Sequence, residues 1–279
     1  MKLIVYIALL LGLVHCSSLR TKGEINNSSA TQHTAYEEGT EDAEVPAVES
    51  KPITIGKSTE QTKDLSDNEA DIEGLPVEFN KNVDKWITYF QGKGRTAMER
   101  HLSRSTRYLP KMKEILKSHG LPEDLVYIAM IESGFNSKAF SRARAVGYWQ
   151  FMRGTGRAYN LQSNYYVDDR RDFIRSTEAA SKYLKALYNL FGSWYLAIAS
   201  YNAGENKMKS LVMRYYTRDF WELARRKKLP RETKEYIPKF LAARLIAKHP
   251  DKYGFSNVKY APPLDFQEIT YKKSVSLKT

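Results

Sequence analysis

Glu132 closes a mostly apolar stretch in Met130-Ile131-Glu132-Ser133-Gly134-Phe135, a setting in which an unpartnered carboxylate is costly to bury. Partial burial raises a carboxyl pKa, so such a side chain could hold a proton near neutral pH and pass it to a leaving oxygen. Taken alone, the residue reads more simply as a helix-terminal glutamate exposed to water. Two other stretches change that balance. Gly147-Tyr148-Trp149-Gln150-Phe151-Met152 sets the Gln150 amide among aromatic rings, and Ser200-Tyr201-Asn202-Ala203-Gly204 ends an apolar segment with a phenol and a second amide. Amides orient hydroxyl and acetamido groups while ring faces pack on the C–H faces of pyranoses, a mixture typical of ligand clefts. Each stretch is weak by itself: Trp149 is more often core than platform, and Asn202-Ala203-Gly204 could be a helix cap.

The elements that must position these groups are helical. Phe79, Val83, Trp86, Ile87 and Phe90 recur at three and four residues, the spacing of one helical face, and predict a helix from about Val77. Gly92-Lys93-Gly94 breaks it. A second apolar series runs through Met98, Leu102 and Tyr108, and Pro110 suits the first turn of a third helix carrying Met112, Ile115 and Leu116. Gly120 fits a helix exit. Leu121-Pro122-Glu123-Asp124 then opens a helix that ends near Glu132, with proline and two acids at the positive end of the dipole. Glycines 134, 147, 154 and 156 punctuate a loop-rich stretch before helices at about 175–191, 193–203, 205–216 and 233–248. The strand signal is negligible. The expectation is an all-α domain of eight or nine helices over 77–255, followed by a tail at 256–279.

The remainder of the chain differs in composition. Met1-Lys2, an apolar run from Leu3 to Val14 and His15-Cys16-Ser17-Ser18 have the charge, length and small-residue exit of a secretory signal. A dozen apolar residues fall short of the roughly 20 that span a bilayer. Export is therefore expected for 1–16 as a signal peptide. Cys16 is the sole cysteine, which excludes an intrachain disulfide. Residues 17–75 are polar, acidic and nearly free of aromatics, the composition of a disordered linker. The formal charge of +12 divides unevenly: 4 Lys against 13 acids between Thr21 and Glu73, and 38 basic residues against 19 acids from Pro76 onward. A strongly basic half is either a solvated surface or a surface for polyanions; export argues against nucleic acid.

Taken together, the site stretches resemble the catalytic domain of the soluble-lytic-transglycosylase superfamily, whose fold is related to goose-type lysozyme. The order agrees: Glu-Ser at 132–133, Gly-x-x-Gln-Phe-Met at 147–152, Tyr-Asn-Ala-Gly at 201–204, then a late tyrosine at 236. Leu121-Pro122-Glu123-Asp124-Leu125, Val167-Asp168-Asp169-Arg170-Arg171-Asp172 and Leu229-Pro230-Arg231-Glu232-Thr233-Lys234-Glu235-Tyr236-Ile237-Pro238-Lys239 agree further, closest to the membrane-bound lytic transglycosylase D group. The resemblance covers roughly residues 80–250. It implies a lysozyme-like helical fold, Glu132 as catalytic acid/base, Ser133 positioning that acid or the sugar, Gln150 and Asn202 lining the cleft, and Tyr201 and Tyr236 as site tyrosines. A core role for either tyrosine remains the alternative. Arg153 stands where the family has proline, Ser200 replaces the commoner alanine, and His15 departs from the small residue of a lipoprotein box at Cys16.

The implied activity is cleavage of the β-1,4 bond between N-acetylmuramic acid and N-acetylglucosamine in peptidoglycan, leaving 1,6-anhydromuramoyl ends. Glu132 would protonate the leaving oxygen and then act as base toward the C6 hydroxyl, one group serving both steps if its pKa lies near the working pH. The wall then supplies the polyanion for the basic half. Two rivals stand beside this reading. A hydrolytic muramidase needs a second carboxylate, for which Asp168, Asp169 and Asp172 are candidates; beside Arg170, Arg171 and Arg175 they read more simply as a structural ion-pair cluster. A non-catalytic wall-binding protein would keep the fold without the acid. The expected protein is a periplasmic monomer, soluble or an outer-membrane lipoprotein anchored at Cys16, with no cofactor. No metal is expected, since His15, His33, His101, His119 and His249 are scattered, and Gly154-Thr155-Gly156 lacks the lysine of a phosphate-cradling loop.

Overall fold

A computed structural model describes residues 75–264; the expected signal peptide, Cys16 and the acidic linker lie outside the described residues, apart from Leu75. Nine α-helices order the described chain: α1 (Lys81–Gln91), α2 (Arg95–Ser118), α3 (Tyr127–Ser133), α4 (Arg153–Ala158), α5 (Phe173–Phe191), α6 (Trp194–Ala203), α7 (Glu205–Tyr215), α8 (Phe220–Arg225) and α9 (Arg231–Lys248). Short 3-10 turns at Glu123–Val126 and Asp169–Arg171 precede α3 and α5. Among the described residues there are isolated bridges but no strands, in keeping with the all-α expectation.

Local chemistry explains most helix ends. Asn80, Asp172, Ser193 and Asp219 each accept backbone N–H bonds as N-caps of α1, α5, α6 and α8. Gly134 and Gly192 close α3 and α5 in the left-handed conformation. The expected start near Val77 moves to Lys81, because the Asn80 cap outweighs the apolar pattern, and Phe79 is left exposed. The expected break at Pro110 does not occur. Proline there removes one ladder donor, but Met98, Leu102, Met112, Ile115 and Leu116 form a continuous buried stripe on both sides of it, and α2 packs along α5 and α1. The described part of the tail runs beside α2, with Ala261 N–H donating to Ser103 O and Thr106 Oγ1 to Ala261 O. Helices α4 and α8, six residues each, are too short to show a period.

α6 is buried at every position and lies at the centre, against α5, α7, α8 and α9. A helix with no polar face has no other place in a globular fold. α3 is likewise buried throughout and packs on α9, which brings the end of a seven-residue helix against a segment about a hundred residues further along the chain.

The loop from Gly134 to Met152 is held by side chains. Arg170 donates to Phe151 O at 3.1 Å and Arg144 O at 3.3 Å while paired with Asp168 at 2.8 Å. Arg175 pairs with Asp169, and Asp172 caps α5; the acid and arginine cluster is structural, as its composition suggested. Gly147 makes the tight approach possible: with φ of 81°, a Cβ on it would lie 1.8 Å from Arg170 O. Gly147→Ala is expected to cost about 2–4 kcal/mol, measured as a loss of free energy in urea unfolding; an unchanged midpoint would mean that this loop gives way freely.

Candidate active site

Glu132 occupies the last turn of α3 and is completely buried. Its Oε1 accepts a short hydrogen bond from the Tyr236 hydroxyl of α9, and its Oε2 has no hydrogen-bond partner. Burial pushes the carboxyl pKa up to about 8, opposed by the Tyr236 hydrogen bond and the Lys239 charge and reinforced by Glu232. The sequence predicted partial burial; closure by α3, α9 and the loop is total. A group in this state is protonated at neutral pH and presents one unengaged oxygen.

The other expected residues fall into two sets. Tyr236 hydrogen-bonds the carboxyl; its own phenol is fully buried, with its pKa raised by burial and by the Glu132 charge. Ser133, Gln150 and Tyr201 brace the loop beside it. The Ser133 hydroxyl lies 2.7 Å from Tyr148 O and 3.1 Å from Ala129 O. Gln150, at φ 48°, donates its amide to Gly147 O at 2.9 Å, and Tyr201 donates to Trp149 O at 2.8 Å. Trp149 itself is core, its indole N–H on Thr177. Asn202 donates to Glu232 Oε1 at 3.0 Å and accepts from Thr233 at 2.9 Å, tying the end of α6 to the start of α9. Gln150 and Asn202 are thus buried and engaged within the protein, not open to the cleft in this state.

Three neighbours were not singled out from the sequence as site residues. Lys239, one turn after Tyr236 on α9, donates to Ile131 O at 3.3 Å and has its pKa lowered by burial. Glu232, one turn before Tyr236, raises the Glu132 pKa. The i, i+4 and i, i+3 spacing around Tyr236 could have shown both. His101 of α2 packs on Gly134, where a Cβ would meet its ring at 2.0 Å; burial and the charges of Lys239, Arg104 and Arg100 depress its pKa to about 3, so it is neutral. Among the described residues, no group of three or more His, Cys, Asp and Glu side chains is placed to hold a metal ion.

The helix-borne, buried carboxyl and the glycine-rich loop that braces it fall within a stretch that resembles a recognised domain class: residues 111–224 match the model of the Transglycosylase SLT domain. More particularly, the chain is homologous to membrane-bound lytic murein transglycosylase D of Escherichia coli (strain K12), at 39% identity over 144 residues, covering 50% of this chain and 31% of that protein. It is also 35% identical over 107 residues to a putative tributyltin chloride resistance protein of Alteromonas sp. (strain M-1), covering 38% of this chain and 52% of that one. The chain therefore spans about a third to a half of the length of these curated relatives. The crystal structure of the 70 kDa soluble lytic transglycosylase of Escherichia coli aligns at a TM-score of 0.41 with 22% identity, over 53% of this chain and 26% of that one. α1, Tyr236 and the rest of α9 lie outside the SLT domain match.

Proposed function

We propose that the protein is a peptidoglycan lytic transglycosylase with Glu132 as its single acid/base. The observation that carries this reading is the Glu132 carboxyl itself: protonated by burial, oriented through one oxygen by Tyr236, and unengaged at the other. Oε2 gives its proton to the oxygen linking C1 of N-acetylmuramic acid to C4 of N-acetylglucosamine, and the C1–O bond breaks as the acetamido oxygen of the same sugar closes on C1. Glu132, now a carboxylate, takes the proton of the C6 hydroxyl. O6 bonds to C1, the acetamido oxygen leaves, and a 1,6-anhydro ring forms with no water consumed. Because the carboxyl is closed to solvent, the strand reaches Oε2 only as the groups covering it shift.

Ser133, Gln150 and Tyr201 hold the loop against which the sugar lies, and Asn202 sets Glu232 and α9. The excess of basic residues from Pro76 onward suits a wall carrying peptide carboxylates. Among the described residues no helix is long and apolar enough to cross a membrane. The protein acts in the periplasm as a monomer without a cofactor, and a lipid on Cys16 would hold it at the outer membrane.

A hydrolytic muramidase is the second reading. Among the candidates for its second carboxylate, Asp168 and Asp169 pair with Arg170 and Arg175 and Asp172 caps α5, whereas the charge of Glu232, which accepts from Asn202, acts on Glu132. Mass analysis of glycan digested by the purified protein decides between them. Ends lighter by one water than a reducing end are expected, and a digest of reducing ends alone would assign hydrolysis.

A further inference from the structure

A cavity of about 830 Å³ opens between α1 and the first half of α9, within the roughly 300–1,000 Å³ of ordinary ligand sites. One wall reaches the acid: Tyr236 lines the cavity and its hydroxyl lies on Glu132. The facing wall is α1. Trp86 is fixed there by its indole N–H, which donates to Glu235 Oε2 at 2.8 Å, and Tyr89 meets it edge-on with centroids 5.3 Å apart. Gly94 gives the Tyr89 ring its place, since a Cβ at that position would lie 2.6 Å from the ring. Two rings, one of them 40% exposed, therefore line a groove that Tyr236 also lines.

The charges of that groove are unequal. Glu235 is neutralised by Lys85 at 3.4 Å and by the Trp86 indole, and Glu232 accepts from Asn202. Lys93 and Arg231 line the same cavity and have no ion-pair partner among the described residues. Ring faces without charges would serve any pyranose; rings beside two uncommitted cations select a pyranose that carries a carboxylate.

We infer that the α1–α9 cavity is a saccharide subsite for an acidic glycan unit, with Tyr89 and Trp86 as the ring platform and Lys93 and Arg231 as the carboxylate contacts. This rests on the lytic transglycosylase reading and deepens it: in a strand of alternating N-acetylglucosamine and N-acetylmuramic acid, the lactyl carboxylate of a bare unit, or the carboxylates of the peptide amide-linked to it, supply the negative charge, and the helix ahead of the residues that match the SLT domain would set which unit enters.

Binding and cleavage are measured separately. Full-length protein carrying Glu132→Gln is titrated with soluble peptidoglycan strands and with the neutral N-acetylglucosamine tetramer. Adding Tyr89→Ala should weaken both ligands roughly tenfold, while Tyr89→Phe keeps the ring and the affinity. Adding Arg231→Ala with Lys93→Ala should weaken the acidic strands roughly three- to tenfold and the neutral tetramer far less. Equal losses for both ligands with the cation pair removed, or no loss with Tyr89→Ala, would overturn the subsite; melting temperatures of the variants exclude unfolding as the cause. Failure of the unsubstituted protein to release glycan fragments counts against the lytic reading instead, since it does not touch the binding comparison.

Discussion

Glu132→Gln is expected to lower the rate of glycan release by at least roughly 10²–10⁴-fold, the usual contribution of a positioned general acid, and to stabilise the fold. Glutamine keeps an oxygen for the Tyr236 hydroxyl but has no proton to give and no charge to bury. The stability effect has a defined pH window. In the unfolded chain the carboxyl ionises near 4.5, whereas in the folded protein it keeps its proton until about 8. Between those values folding takes up a proton, so the parent loses stability as pH rises, and above about 8 the full penalty applies. Each pKa unit corresponds to about 1.4 kcal/mol, so the penalty reaches a few kcal/mol before relaxation of the site reduces it. The melting temperature of the variant relative to the parent should therefore climb from about pH 5 to about pH 8. Activity of the parent should decline on the alkaline side near pH 8, where the acid loses its proton. Retained cleavage by the variant would remove Glu132 from the reaction.

Tyr236→Phe should give the second largest effect, and a different one. The hydroxyl donates to Glu132 Oε1 and lowers the carboxyl pKa against the rise caused by burial. Its loss leaves Oε1, like Oε2, without that hydrogen bond, at about 1–3 kcal/mol of stability, and frees the side chain to rotate. The turnover rate is expected to fall roughly 10–100-fold, with the alkaline limb of the pH profile displaced upward because the lowering contribution is gone. A merely structural tyrosine would change stability and leave the limb in place. Measurement of the rate against pH for parent and variant separates the two outcomes.

Much of the helical order could be read from spacing. Val83, Trp86, Ile87 and Phe90 mark one face of α1, and the side-chain caps of α1 and α5 are Asn80 and Asp172. Pro110 misled because proline's effect on a helix is local while the stripe that outweighs it extends over five turns. The site residues divide in the same way. Glu132 was legible as an acid in apolar company, yet Gln150 and Asn202, expected to line a cleft, are engaged within the protein. An amide's type tells what it can bond, and only packing decides which partner it meets.

Residue order alone determined an all-helical domain, the position of one conspicuous acid in a motif frame, and a change of charge between the two parts of the chain. The tertiary structure alone decided that this acid is wholly enclosed, that a hydroxyl 104 residues away holds it, and that the charges of Lys239 and Glu232 act on it. Helix periodicity is set by neighbours three and four residues apart, so it is written locally. A pKa is set by whatever fills the surrounding few ångströms, and here the groups that act on Glu132 of α3 come from α9, which only the completed fold brings beside it.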